Sequence, residues 1–238
     1  MSTATKKPSI VFAHGLWADG SCFGKLIPTL HAEGYEVICS QHGLDSLKDD
    51  VDCTRRCITH ATGPVILVGH SYGGTVITHA GTHDRVAALV YLAAFAPDET
   101  ETSQALIEKY PPPTVFSHLD IAEGRVWLRA DGTPHFCGDL SEVEQKVVWA
   151  TQGVPVADIL TQKLDGIAWK SKPSWYVVAT NDHTIQPDLE RFVAKRMGAH
   201  TVEVPSSHVP MLSKPEAVLD VIREAAKSVM ASGGLRAA

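Results

Sequence analysis

No apolar run in this 238-residue chain reaches the ~18 residues that a membrane-spanning helix needs. The opening stretch, MSTATKKPSI, also lacks the long apolar region and small-residue cleavage site of a secretory signal, so a cytoplasmic address is expected. Positive charge is in the minority. Against 27 Asp and Glu stand 21 Lys and Arg, a formal net charge of −6 with a pI near 6.0. That balance argues against an electrostatic nucleic-acid surface, and neither nucleic acid nor membrane is expected as a partner. Cysteine is scarce: five residues, odd in number and irregularly spaced, which excludes a disulfide framework and suits reduced thiols. Cys53 and Cys57 lie one helical turn apart, but no Cys/His pair nearby completes a zinc site, and no metal is expected. Internal repeats and low-complexity tracts are absent.

What is present is an apolar share of 44%, ordinary for a soluble domain and distributed in short runs. Six runs are continuous and rich in Val, Ile, Leu and aromatics: Ser9–His14, Tyr35–Ser40, Val65–His70, Val86–Ala94, Ser174–Thr180 and His200–Pro205. Apolar on both faces, they fit a parallel sheet covered by helices. Helical patterns fill the gaps over Ser21–Gly34, Ser46–Ala61, Thr75–Gly81, Pro187–Met197 and Pro215–Met230. The alternation predicts an α/β fold, a mainly parallel six-stranded sheet with helices on both faces.

Between Ala96 and Pro173 the alternation breaks. The core is therefore assigned to residues 1–96 and 173–238, and residues 97–172 to an inserted cap. The insertion holds the Pro111–Pro113 run, short helical pieces and a hairpin-like VWLRADGTPHF with a turn signal at Asp131-Gly132. Phe116, Trp127, Phe136, Trp149 and Trp169 carry too much apolar area for a disordered insertion. The first seven residues and the tail SGGLRAA are expected to be loose.

Chemistry concentrates where the third run ends. GHSYG, Gly69–Gly73, matches G-x-S-x-G with a strand before it and a helix after it, the setting of a nucleophile elbow. A serine at so sharp a turn needs tiny neighbours two residues to either side, which Gly69 and Gly73 supply. The helix start behind Ser71 offers backbone N–H groups and a positive dipole end to an anion. A serine hydroxyl is a poor nucleophile until a base takes its proton. Of the 12 histidines, His208 directly follows the last strand run and so falls at the sheet edge that carries Ser71. A carboxylate must orient that base. Asp182, after the fifth run, suits the role; Asp98, after the fourth, is its rival, and Asp188 reads as a first-turn helix carboxylate. An oxyanion needs two preorganised donors. These are the N–H of Tyr72 and that of Leu16 in AHGLWADG, where Gly15 lets the chain bend towards the site. His14 reads as a packing or hydrogen-bonding residue behind that loop.

Ser71, Asp182 and His208 stand in the order of an α/β-hydrolase, and the chain resembles that superfamily over nearly its whole length. Within it, the likeness is to the plant methylesterase and hydroxynitrile lyase group with its bacterial esterase relatives. It lies in VFAHGLWADGSCFGKLIPTLHAEGYEV, ILVGHSYGG, ATNDHTI and SSHVPMLSKPEAVLDVI. The resemblance carries a marker of reaction type. Lyases of the group have a threonine or asparagine where this chain has Gly15, and one lyase subgroup has a lysine where it has Val209. A cyanide ion leaving in a dry pocket needs a cation, which Val209 cannot supply. Both positions fall on the esterase side.

The expected activity is that of a serine carboxylester hydrolase without cofactor, acting on a small or medium apolar ester through an acyl-enzyme. Gly15, Trp17, Trp127, Trp149 and Val209 are expected to shape the substrate pocket. The small-molecule ester is the partner expected, with a homodimer as a possible assembly. Alternatives on the same scaffold are a lyase, a cofactor-free oxygenase or a perhydrolase, and, without catalysis, a ligand receptor.

Overall fold

A computed structural model describes residues 7–236. Its strands in chain order are β1 (Ser9–Ala13), β2 (Val37–Ser40), β3 (Val65–His70), β4 (Val86–Leu92), β5 (Leu119–Ala122), β6 (Arg125–Leu128), β7 (Ser174–Ala179) and β8 (His200–Val204). Its α-helices are α1 (Ile27–Ala32), α2 (Leu47–His60), α3 (Tyr72–Ala80), α4 (Ser103–Ile107), α5 (Thr133–Cys137), α6 (Glu142–Ala150), α7 (Pro187–Met197), α8 (Pro210–Ser213) and α9 (Pro215–Arg236). Six strands make one sheet in the order β2-β1-β3-β4-β7-β8, every neighbouring pair parallel, with helices on both sides. This is the expected α/β architecture.

The strand order places the site. The chain runs from β1 outwards to β2, then returns to β3 on the other flank of β1. The order reverses between β1 and β3, and open α/β sheets place their sites outside the C-terminal strand ends at such a point. Ala13 pairs with Gly69 there, so the loop after β1 and the turn after β3 are neighbours.

Burial follows position in the sheet. β1, β3 and β7 are wholly buried, as strands covered on both faces must be. The edge strands depart from the expectation of two covered faces. Val37–Cys39 of β2 are half-buried and His200–Glu203 of β8 are exposed, because an edge lacks a second neighbour and full helix cover.

Several elements differ from their sequence patterns. Pro28 divides the helix expected over Ser21–Gly34, since it has no N–H to donate and is tolerated only in the first turn, where α1 places it. Gly20–Phe23 instead form a separate 3₁₀ turn capped by Asp19, whose carboxylate accepts the Ser21 N–H. The third helix starts at Tyr72 rather than Thr75. α9 continues to Arg236, through backbone expected to be loose, while residues 1–6 and 237–238 lie outside the described residues. Lys7 is held, its ammonium 4.6 Å over the Tyr35 ring.

Residues 97–172 contain α4, α5, α6 and an antiparallel hairpin of β5 with β6. The hairpin turns at Glu123-Gly124, not at Asp131-Gly132. A two-residue hairpin turn of type I′ needs positive φ at both positions, and these residues supply 51° and 75°. Asp131-Gly132 belongs to a 3₁₀ turn that leads into α5.

One side chain closes the end of β4. The Tyr176 hydroxyl donates to the Ala94 carbonyl (2.5 Å) and accepts the Ala94 N–H (2.9 Å). Just before it, Ala93 takes φ 44°. Tyr176→Phe would leave both buried Ala94 groups unpaired, at a cost of about 1–3 kcal/mol in urea unfolding. An unchanged unfolding midpoint would contradict this account of the β4 end.

Candidate active site

Ser71 joins β3 to α3 with φ 56° and ψ −123°, a backbone region that costs about 1–3 kcal/mol for a residue with a side chain. Its N–H donates to Leu92 O (3.1 Å), and its carbonyl accepts the N–H of Gly74 (2.9 Å) and Phe95 (3.2 Å). No side chain fits beside the turn. A Cβ on Gly73 would strike the carbonyl oxygen of Ala13, and one on Gly69 would come 2.5 Å from that of Gly73. Gly15 packs directly on the serine, where a Cβ would lie 2.6 Å from the Cβ of Ser71. Ser71 itself is only 5% exposed.

Asp182 and His208 come together from the loops after β7 and β8. His208 Nδ1 donates to Asp182 Oδ2 across 2.5 Å, with both side chains fully buried. Asp182 Oδ1 accepts two backbone N–H groups, from Thr184 (2.6 Å) and Ile185 (2.9 Å). His208 Nε2 has no hydrogen-bond partner among the described residues, and in a neutral ring whose Nδ1 donates, that atom holds the lone pair. The two rival carboxylates are paired with cations instead. Asp98 meets Lys170 (2.7 Å) and Asp188 meets Arg191 (2.9 Å).

A shell of polar groups supports these residues. His70, next to the serine, donates from Nε2 to the His208 carbonyl (2.8 Å), with the two rings 4.8 Å apart. Ser207 gives its N–H (2.9 Å) and its hydroxyl to the carboxylate of Asp139, from the inserted segment. Behind the Gly15 loop, His14 Nδ1 donates to Gly15 O (2.9 Å), and His42 Nε2 donates to His14 O (3.2 Å). The His14 and His42 rings stack at 3.8 Å. Burial lowers the basicity of His14, and that of His42 and His70 much further, so all three are neutral. The Tyr72 hydroxyl donates to Asp50 Oδ2 (2.9 Å), while Asp50 Oδ1 accepts the Leu44 N–H (3.1 Å).

His14 lies where its sequence setting put it, behind the loop. His42, Asp50, His70 and Asp139 are absent from the sequence reading. His70 alone carries a local signal, as a neighbour of Ser71 in GHSYG; Asp50 and Asp139 meet partners 22 and 68 residues away.

Tyr72 follows Ser71 directly, and Leu16 follows Gly15, which packs on the serine; each has a backbone N–H. That of Tyr72 is the first of α3 and has no acceptor within the helix. That of Leu16 has no acceptor among the described residues, whereas the next N–H, of Trp17, donates to Gly153 O (2.9 Å). Among the described residues no cluster of three His, Cys, Asp or Glu could hold a metal ion. No helix among them is long and apolar enough to cross a membrane.

A cleft of about 170 Å³ opens between the segment after β1, α6 and the His208 loop. Its walls are mostly apolar and include Trp17, Phe136, Val147, Val209 and Met211. Phe136 links it to the buried pair, with its ring 5.1 Å from His208 and 6.0 Å from Trp17. Of the residues expected in the pocket, Trp17 and Val209 line this cleft. Trp127 and Trp149 do not, being 46% and 42% exposed. Helical spacing explains Trp149. Val143, Val147 and Val148 turn one face of α6 to the cleft, and Trp149 lies on the other with Glu142 and Gln145. Gly15 packs under Ser71 and is not in the cleft wall.

Burial pushes the Asp50 carboxyl up to about 6, against 3.8 for an ordinary aspartate. The folded chain then holds a proton that the unfolded chain has lost, so stability falls as pH rises between those values, by about 2–3 kcal/mol. Asp50→Asn removes this loss. Urea midpoints of the two proteins should therefore drift apart from pH 4 to pH 6 and run parallel above it. Equal pH dependence would show that Asp50 ionises normally.

The Alpha/beta hydrolase family matches residues 10–221. A carbendazim hydrolyzing esterase of Nocardioides sp. strain SG-4G is 36% identical over 123 residues, which are 45% of this chain and 50% of that protein. Methylesterase 8 of Arabidopsis thaliana is 26% identical over 241 residues, covering 90% of this chain and 88% of its own. A pyrethroid hydrolase from Sphingobium faniae, solved by crystallography, shares the fold with a TM-score of 0.78 at 22% identity, over 92% of this chain and 97% of that one. The enzyme class expected from the sequence, a carboxylesterase-like hydrolase, is the class these relatives' names carry. A family match spanning nearly all of the six-stranded sheet and the turns at its edge means that this chain belongs to the alpha/beta hydrolase family.

Proposed function

We propose that the chain is a serine carboxylester hydrolase with Ser71 as nucleophile, His208 as base and Asp182 as the group that orients the base. The observation that carries this reading is the bare, buried Nε2 of His208, whose other ring nitrogen is committed to Asp182. His70, the residue before Ser71, touches the same imidazole and so brings the strained serine and the base into one neighbourhood.

The reaction follows from these parts. His208 takes the hydroxyl proton as Ser71 Oγ attacks the ester carbonyl carbon, and the Leu16 and Tyr72 N–H groups hold the resulting oxyanion. The imidazolium passes its proton to the departing alcohol. Water then enters, loses a proton to the same imidazole and releases the acid from the acyl-enzyme. Residues 97–172 act as the cap of this site, since Phe136, Asp139 and α6 come from it. The narrow apolar cleft favours a small or medium apolar group on the ester.

Two positions favour hydrolysis over cyanohydrin cleavage. A threonine or asparagine at Gly15 would have to displace Ser71, and Val209 places an apolar side chain after His208 where a departing cyanide would need a cation.

Ser71→Ala is expected to lower kcat on a p-nitrophenyl ester by about 10³-fold or more, with the circular dichroism spectrum unchanged. A fluorophosphonate should label Ser71 in the wild type, read by peptide mass spectrometry. Undiminished hydrolysis by Ser71→Ala would overturn the assignment. Faster turnover of a cyanohydrin, or of peroxide with acetate, than of any ester would move the chain to another reaction on the same scaffold.

A further inference from the structure

Glu190 is a fully buried acid that the proposed reaction leaves unused. It sits in the first turn of α7, a favourable place for a carboxylate. One oxygen, Oε2, accepts the N–H of Ala179 (2.9 Å) at the end of β7, the strand that leads into the Asp182 loop. The other, Oε1, is buried and has no partner if Glu190 is an ionised acceptor. The side chain lies against Asp182, whose own N–H donates to the carbonyl of the same Ala179 (3.3 Å). Two carboxylates in such contact, away from water, cannot both be ionised.

The donor count decides which of the two holds the proton. Asp182 accepts from Thr184 N–H, Ile185 N–H and His208 Nδ1, which fill three of the four acceptor directions of a carboxylate. Glu190 accepts from a single N–H. The proton therefore belongs on Glu190, and the fourth direction of Asp182 is open to a donor. The other ionisable groups facing Glu190 do not reverse this. Tyr176 is a buried phenol whose ionisation burial opposes, and the Arg191 guanidinium is engaged by Asp188 and Glu203 at the surface.

We propose that Glu190 is a protonated acid that donates from Oε1 to Asp182 and serves as a positioning residue for the Asp182–His208 pair. This rests on the proposed roles of Asp182 and His208. Protonation turns the unpartnered Oε1 into a donor and leaves no buried acceptor of Glu190 unmatched. Burial first, and then the Asp182 charge, hold the Glu190 carboxyl well above the usual carboxylate range, in the same direction. The hydrogen bond shares the Asp182 charge between two donors, so His208 binds its proton less tightly during turnover. Through Ala179 it also ties the end of β7 to the loop that carries Asp182.

Two variants and an infrared spectrum test this. Glu190→Met keeps the volume but neither donates nor accepts; kcat on the activated ester should fall by about tenfold or more with little change in KM. Its acidic limb of kcat/KM should move to higher pH, because an unshared Asp182 charge holds the imidazolium proton more tightly. Glu190→Gln can accept from Ala179 and donate to Asp182, and it should rescue both kcat and the position of the limb. A residue that merely fills space would leave the limb unmoved. Independently of activity, wild-type protein at pH 8 should show the carbonyl stretch of a protonated carboxyl group that is missing from Glu190→Gln. The proposal is overturned if that band is absent from the wild type, or if the Gln variant shifts the limb as Met does. Should Glu190→Met fail to fold, the spectrum and the Gln profile decide. If Ser71→Ala stays active while the band is lost in Glu190→Gln, the serine mechanism fails and the protonated acid stands.

Discussion

A positive φ at Ser71 costs about 1–3 kcal/mol, and the surroundings of the turn leave no cheaper conformation open to it. Register between β1 and β3 brings the turn against the Ala13 carbonyl, with room for a glycine at position 73 and nothing larger. Hydrogen bonds to Leu92 and Phe95 fix the backbone on the β4 side. Every residue of α3 is buried, so relaxing the turn would drag a whole helix out of its packing. The strain is thus small beside the burial it would disrupt. The same contact seats Gly15 on the serine.

The polar shell is arranged around neutral groups. His14, His42 and His70 are uncharged, and each fixes a carbonyl of the site by an N–H bond rather than by charge. Fixed dipoles of this kind need no reorganisation when charge develops, and a buried ionised histidine beside them would cost several kcal/mol. The orphan nitrogen of His208 belongs to the same economy. A buried polar atom without a partner costs about 1–3 kcal/mol. In the proposed reaction it gains its partner when the serine hydroxyl yields its proton.

Much of this was legible in the sequence because it is local. Short apolar runs mark the strands, the glycines of GHSYG mark the turn, and the loops after Thr180 and Pro205 carry Asp182 and His208 to one edge of a parallel sheet. What escaped is what depends on distant pairing. Asp139 looks like an ordinary loop acid until Ser207 meets it, and Asp50 an ordinary helix acid until Tyr72 does. The hairpin turn was misread for a related reason. Asp-Gly suits a helix entry as well as a hairpin, and the pairing of β5 with β6 settles which pair turns the chain. Trp149 shows the limit of composition: its apolar area is real, but the rotation of α6 points it away from the cleft.

The cleft wall is secured unevenly, and this bears on access. Ser71 is almost covered and His208 wholly so, and Phe136 joins His208 to the Trp17 side of the cleft wall. On the inner side, the Asp139 carboxylate grips Ser207 through two bonds next to His208, and displacing it would disturb His208 itself. On the outer side, α6 has no buried residue and is joined to the core rim by Lys25 and Glu144, a pair 41% and 40% exposed. Ion pairs so placed contribute about 0–1 kcal/mol. Local opening draws on the least stable parts of a fold, so an outward movement of α6 would disturb less packing than one of the Asp139 wall. It leaves the buried Asp182–His208 pair untouched, because none of the hydrogen bonds that hold that pair comes from α6.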